Sequence, residues 1–185
     1  LMYQNIRQAG APDTQNTQLP TGLQLGTGVR TVATARNFSQ GALTQTGNPL
    51  DIAINGQGFF QVQMADGTTA YTRDGAFQVD AQGQLVTSSG LPVNPGITLP
   101  ANAQNVTVGR DGIVTATVPG SVTPQQVSQL QLAHFVNPAG LDPRGGNLYT
   151  ETAASDSPQA GNPGSNGLGA LNQGCVEASN VNVVE

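Results

Sequence analysis

Apolar and polar positions alternate in short runs over residues 51–90, and glycine turns separate the runs with no stretch of helical spacing. Ile52, Ile54, Phe60, Val62 and Met64 recur at period two, the signature of strands with one buried face. Asp66-Gly67 supplies residues that tolerate positive φ in a tight hairpin, and the chain returns through Thr69 and Tyr71. A second hairpin is predicted with Phe77 and Val79 on one strand, a turn at 80–83, and Leu85 and Thr87 on the other. Val106 and Val108, then Arg110-Asp111-Gly112, then residues 113–118 repeat the signal a third time. Three hairpins in succession predict a β-meander whose sheet curls.

The flanking segments complete the expected architecture. Gly56-Gln57-Gly58 reads as a turn or bulge that re-aims Phe59 and Phe60, one inward and one toward a neighbouring layer. Pro92, Pro95 and Pro100 exclude a helix and a central strand, so 91–101 is a crossing loop. Residues 123–136 fit both a helical face (Val127, Leu130, His134) and a strand face (Leu130, Leu132, His134); Pro124 before and Asn137-Pro138 after favour the strand. Residues 142–169 are loop-like, with Leu148 and Tyr149 as anchors, and 8–22 form a polar connection without periodicity. The predicted fold class is all-β, a curled meander forming a partly closed barrel or a sandwich, with long irregular N- and C-terminal arms. Three regions are expected: an extended arm at 1–28, the β-domain at 29–141, and a loop-rich return arm at 142–185.

Composition narrows the function classes. The chain has 24 glycines and 12 prolines among 185 residues, which suits many turns and falls short of a collagen-like repeat. Its six basic residues, all arginine, are scattered, and the net charge of -5 opposes binding to nucleic acid. With only 9% charged residues the surface is solvated by neutral polar groups, which leaves little repulsion between copies. A lone cysteine, Cys175, excludes an internal disulfide. No apolar run reaches the roughly 18 residues of a membrane span, so no membrane insertion is expected. No signal peptide is visible, and the pattern at both ends reads as interrupted, as expected of the central part of a longer protein.

Candidate chemistry is sparse. His134 and Cys175 form a conceivable dyad, but no orienting third group or oxyanion hole has a signature. Zinc-ligand spacing is missing, as is an Asp-rich calcium loop. Asp66, Asp80 and Asp111 sit at expected turns, where a short acceptor satisfies backbone N–H groups. Asp74 lacks the second isolated carboxylate of a glycosidase. Gly56-Gln57-Gly58 shares two glycines with a dinucleotide fingerprint, but Gln61 occupies the third place and a strand follows. No catalytic, cofactor-binding or metal residue is expected, and hence no enzyme. Two rivals keep distinct signatures: a carbohydrate-binding or adhesin-like β-module needs an exposed aromatic platform, and a peptidoglycan hydrolase needs paired carboxylates or a Cys-His pair in a cleft.

The wording of several segments carries a further signal. NGQGFFQV and DGTTAYTRDGAFQVDAQGQLVTSSG within 51–90, LPTGLQLGTGVR at 19–30, GRDGIVTATV at 109–118, NPAGL at 137–141 and SNVNVVE at 179–185 together resemble the bacterial flagellar rod and hook axial proteins, the distal-rod type most nearly. The resemblance spans nearly the whole chain. It implies a β-domain inserted between two terminal helices that pair as a coiled coil, neither of them in this chain, and export by the flagellar type III apparatus. It also implies a structural subunit that stacks helically with copies of itself and transmits torque from motor to hook. The implied partners are proximal-rod and hook proteins and the surrounding P- and L-ring bushing, at the rod crossing the periplasm. The stretch 3–21 falls where rod-type members carry a segment lying along neighbouring subunits. Tyr3, Ile6, Leu19, Leu23, Leu25, Val181 and Val183 are therefore the candidate contacts between copies. Cys175 departs from the family, which more usually has an aromatic or polar residue there.

Overall fold

The computed structural model describes Phe38 and residues 40–178. Fifteen strands fill this region: β1 (Leu43–Gln45), β2 (Ile52–Asn55), β3 (Phe59–Gln63), β4 (Thr69–Thr72), β5 (Gln78–Val79), β6 (Leu85–Val86), β7 (Asn105–Val108), β8 (Ile113–Thr117), β9 (Gln125–Gln129), β10 (Leu132–His134), β11 (Asp142–Gly145), β12 (Leu148–Thr150), β13 (Gln159–Gly161), β14 (Ala170–Gln173) and β15 (Cys175–Glu177). One 3-10 turn at Pro138–Gly140 is the sole helical element among the described residues. The all-β expectation holds, and none of the sheets closes into a barrel. The largest has six antiparallel strands in the order β11-β12-β4-β3-β10-β13; β7-β8-β9 form a second, and β2-β14, β1-β15 and β5-β6 are two-stranded. The predicted arm 1–28 and residues 179–185 lie outside the described residues.

One turn design recurs four times, at 64–68, 80–84, 87–91 and 109–113. In each, the first residue's C=O accepts from the N–H of a glycine three positions on, and its N–H donates to the carbonyl of the residue after that glycine. Gly67, Gly83, Gly90 and Gly112 all have φ between +82° and +89°. This is the three-residue hairpin loop in which a type I turn ends in a left-handed residue. Only the glycine has positive φ, and Asp66 serves as the expected short acceptor: its Oδ1 accepts the Thr68 N–H at 2.9 Å. That bond holds the Asp66 carboxyl below the usual aspartate value. Asp80 accepts from Gln82 and Gln84 and Asp111 from Ile113 in the same way. The turn at 87–91 makes 91–93 fold back, with Pro92 bridging Val86 and Val93 bridging Val62, where sequence suggested a crossing loop.

The six-stranded sheet carries a hydrophobic cluster on each face instead of the single buried face expected from the alternation, because neighbouring side chains point to opposite sides and Phe59 and Phe60 are both apolar. Phe60, Val62 and Leu132 enter the main core with Ile52, Ile54, Ile97 and Leu171. Phe59, Tyr71, Ala133, Phe135 and Leu141 form a second cluster, joined by half-buried Phe38 and Tyr149. The two adjacent phenylalanines thus serve opposite layers, as the glycine-flanked bulge predicted. Edge-to-face aromatic pairs knit each cluster, with Phe60–Phe77 at 5.0 Å in the first and Tyr71–Phe135 at 4.8 Å in the second. Residues 123–136 are extended, as two strands broken at Leu130-Gln131. Residues 142–161, which read as loop, contribute β11, β12 and β13; β12 pairs β4 through Tyr149 and Tyr71. These strands have only three or four residues each, and β11 and β13 carry Pro, Gly or Gln, so none declares itself by pattern.

Burial pushes the Tyr71 hydroxyl above the usual tyrosine value, and the Glu151 carboxylate adds to the shift. A raised folded-state value favours the neutral phenol, so this contribution to stability is intact below the ordinary value, about pH 10, and is lost as pH rises through the folded value. The melting temperature is therefore expected to fall more steeply between about pH 9 and about pH 11 in the wild type than in Tyr71→Phe. Circular dichroism melts at the two pH values check this; parallel slopes would remove Tyr71 as the cause.

Candidate functional site

The most heavily bonded polar cluster lies where the described chain enters and leaves the domain. β14 pairs β2 in the register Gln173↔Ile52, the chain turns at Gly174, and β15 then runs antiparallel to β1 with Glu177 opposite Leu43. The Ala178 N–H donates to the Ala42 carbonyl at 2.8 Å, extending the ladder by one step. This places the Glu177 carboxylate over the start of the domain. Arg73, immediately after β4, reaches it from the six-stranded sheet.

The two side chains form a fork-to-fork pair, Nε to Oε1 at 3.0 Å and Nη2 to Oε2 at 2.8 Å. Nη1 donates to the carbonyls of Gly56 and Gly58, both at 2.8 Å, and Nη2 to that of Ile54 at 3.3 Å. All five guanidinium N–H groups are thereby used. Glu177 Oε2 also accepts the Gly41 N–H at 2.8 Å and the Gln40 side-chain amide, whose own oxygen takes the Gly56 N–H at 2.6 Å. The side chains of Arg73 and Glu177 are only 15% and 9% exposed. With every donor committed and both carboxylate oxygens occupied, the cluster has no group left to bind or transform a small molecule. Its capacity is to fasten.

The Gly56-Gln57-Gly58 segment thus cradles an arginine. Both glycines have strongly positive φ, +132° and +123°, which aims their carbonyls at one guanidinium nitrogen. Gly56 also packs so closely on Gly169 that a Cβ there would come within 2.7 Å of the Gly169 Cα.

The other sequence candidates are dispersed. His134 lies on β10, between β3 and β13 inside the six-stranded sheet rather than on an edge, while half-buried Cys175 lies on β15 in another sheet. Asp74 accepts the Ala76 N–H in a local turn. Among the described residues no group of three or more His, Cys, Asp or Glu is placed to hold a metal, and no helix is long and apolar enough to cross a membrane. Every aromatic ring among them is buried or half-buried, so they offer no exposed sugar-stacking platform. Tyr3, Ile6, Leu19, Leu23, Leu25, Val181 and Val183 lie outside the described residues. Arg73 and Glu177 were not singled out from sequence: a rare arginine was visible, but its partner is 104 positions away.

Residues 53–116, from β2 into β8, match the family model described as the flagellar hook protein FlgE/F/G D1 domain. The similarity extends over the whole chain. The flagellar basal-body rod protein FlgG of Buchnera aphidicola subsp. Schizaphis graminum is 56% identical over 185 residues, all of this chain and 71% of that protein. The FlgG of Borreliella burgdorferi is 44% identical with the same coverage of both. This chain belongs to the FlgG family. The flagellar basal-body rod protein FlgF of Caulobacter vibrioides is also similar, 38% identical over 96% of this chain. Within a FlgG-type chain, the Arg73–Glu177 clasp ties the end of the β-domain to its beginning and both to the main sheet.

Proposed function

We propose that this chain is a structural, non-catalytic subunit of the flagellar distal rod, in the basal body, where copies stack helically and transmit torque from motor to hook. The reading is carried by identity of 56% to a basal-body rod protein with no part of the chain left over. The clasp fits it: a subunit under torque needs its β-domain anchored at both chain ends. Heterologous contacts that do not close generate a filament, and many modest contacts per copy sum along it. The partners on this reading are copies of itself, proximal-rod and hook proteins, and the P- and L-rings that surround the rod.

Tyr3, Ile6, Leu19, Leu23, Leu25, Val181 and Val183 are the residues proposed to contact neighbouring copies from the two arms. Deleting residues 3–20 in the chromosomal gene is expected to give short or bent rods in electron micrographs of isolated basal bodies. Rods of normal length and straightness would defeat this assignment. Deleting the whole gene is expected to leave basal bodies that end before the hook; unchanged hooks would defeat the function itself.

A further inference from the structure

We infer that the loop joining β8 and β9 is a self-association element that seats in a groove on a second copy of this chain. Residues 119–126 are all exposed, and Val122 at the tip is 99% exposed. Beside the base of this loop is an open groove of about 430 Å³, lined on its apolar side by Leu50, Val79, Leu99, Pro100, Ala103 and Val106. The two are adjacent: the Gln104 N–H, on the groove's rim, donates to the Thr117 carbonyl at 2.8 Å, where the loop leaves β8.

Charge identifies the occupant. Residues 112–141 carry no Asp, Glu, Lys or Arg, whereas the rest of 40–178 carries nine acidic residues against three arginines. The little repulsion that so few charges leave between copies is carried by the other surfaces, and an uncharged loop adds none of it. The groove's one charged lining residue, Asp80, has its Oδ1 engaged by the Gln82 and Gln84 N–H groups. The β7 edge of this three-stranded sheet is occupied within the molecule, since the Gln173 amide bonds both the Val108 N–H and the Val106 carbonyl. The opposite end of the β8–β9 hairpin is fixed too, by the Leu130 N–H on the Gly112 carbonyl. The tip takes part in none of these contacts. Loop and groove are different surfaces of one chain, so seating one in the other is heterologous and propagates instead of closing into a dimer.

The inference rests on the rod reading, and the test separates the two. Val122→Cys and Ala103→Cys are introduced together into the chromosomal gene with Cys175→Ser, and isolated basal bodies are exposed to a mild oxidant. A non-reducing gel is expected to show a ladder at integral multiples of the subunit mass for the double variant and monomer for each single one. Monomer throughout, or an adduct of non-integral mass, overturns the contact while leaving the rod reading standing. Basal bodies of a strain carrying Cys175→Ser alone, with loop and groove intact, from which the subunit is absent overturn the rod reading instead. As a second arm, Val122→Asp is expected to reduce assembled rods at least tenfold with the domain's melting temperature unchanged, because the side chain packs on nothing; wild-type rod numbers would overturn the contact.

Discussion

Replacing Arg73 with alanine is expected to destabilise the β-domain by about 3–5 kcal/mol, the range for removing one partner of a buried ion pair. The magnitude follows from what the substitution strands. Glu177, only 9% exposed, keeps its carboxylate but loses a two-pronged partner, and the Gly56, Gly58 and Ile54 carbonyls lose their donor together. Lysine is expected to rescue little, since three donors on a point charge cannot fill five positions set by a planar fork. A joint Arg73→Met and Glu177→Leu change should recover much of the loss, because it removes both charges instead of orphaning one. Urea unfolding followed by far-UV circular dichroism measures all three, there being no tryptophan to report. An Arg73→Ala loss below about 1 kcal/mol, the level of a surface pair, would demote the clasp to a surface contact.

Gly75→Ala should be the most damaging single methyl in the domain. A Cβ at Gly75 would lie 1.6 Å from the Ile52 carbonyl oxygen and 3.1 Å from the Phe60 ring. Neither can give way cheaply: the Ile52 N–H bonds the Gly75 carbonyl at 2.9 Å, and the Phe60 ring is wedged edge-to-face on Phe77 in the main core. Ala76 also bridges Asp51 next door. Relief requires β2 to move off the segment after β4, so the expected cost is about 3 kcal/mol or more, at the top of the overpacking range. Gly67→Ala is the control. Nothing lies within 4 Å of its Cβ position, and only its φ of +89° is unfavourable, so about 1–2 kcal/mol is expected. Equal melting temperatures for the two variants would refute the steric argument.

The chemistry of short range was legible in the sequence. The glycines of the 64–68, 80–84 and 109–113 turns announce themselves because only glycine adopts that φ cheaply, and the aspartates beside them because a short carboxylate reaches a neighbouring N–H. The division of labour between Phe59 and Phe60 followed from strand alternation and the glycines in front of them. What could not be read was whatever joins distant segments. The pairing of β14 with β2 and of β15 with β1 spans more than a hundred residues and depends on the whole core being in place. The clasp hid for the same reason: nothing local to Arg73 or to Glu177 points to a partner 104 positions away. Strands β11 to β13 escaped because strands of three or four residues, two of them carrying Pro143, Gly145 or Gly161, owe their conformation to their neighbours.

The register of β1 on β15 has a mechanical meaning. Leu43 faces Glu177 and Gln45 faces Cys175, so both chain ends leave from the same tip of a two-stranded ribbon whose hydrogen bonds lie perpendicular to the strands. A pull that spreads the ends peels this ribbon bond by bond, which is the weak direction of any antiparallel pair. Just behind the outermost bond, from Ala178 to Ala42, it meets the Leu43–Glu177 rung, whose glutamate is held by the Arg73 guanidinium. A motion that carries both ends along together leaves the ribbon unstressed, so the domain yields to spreading and rides through rotation.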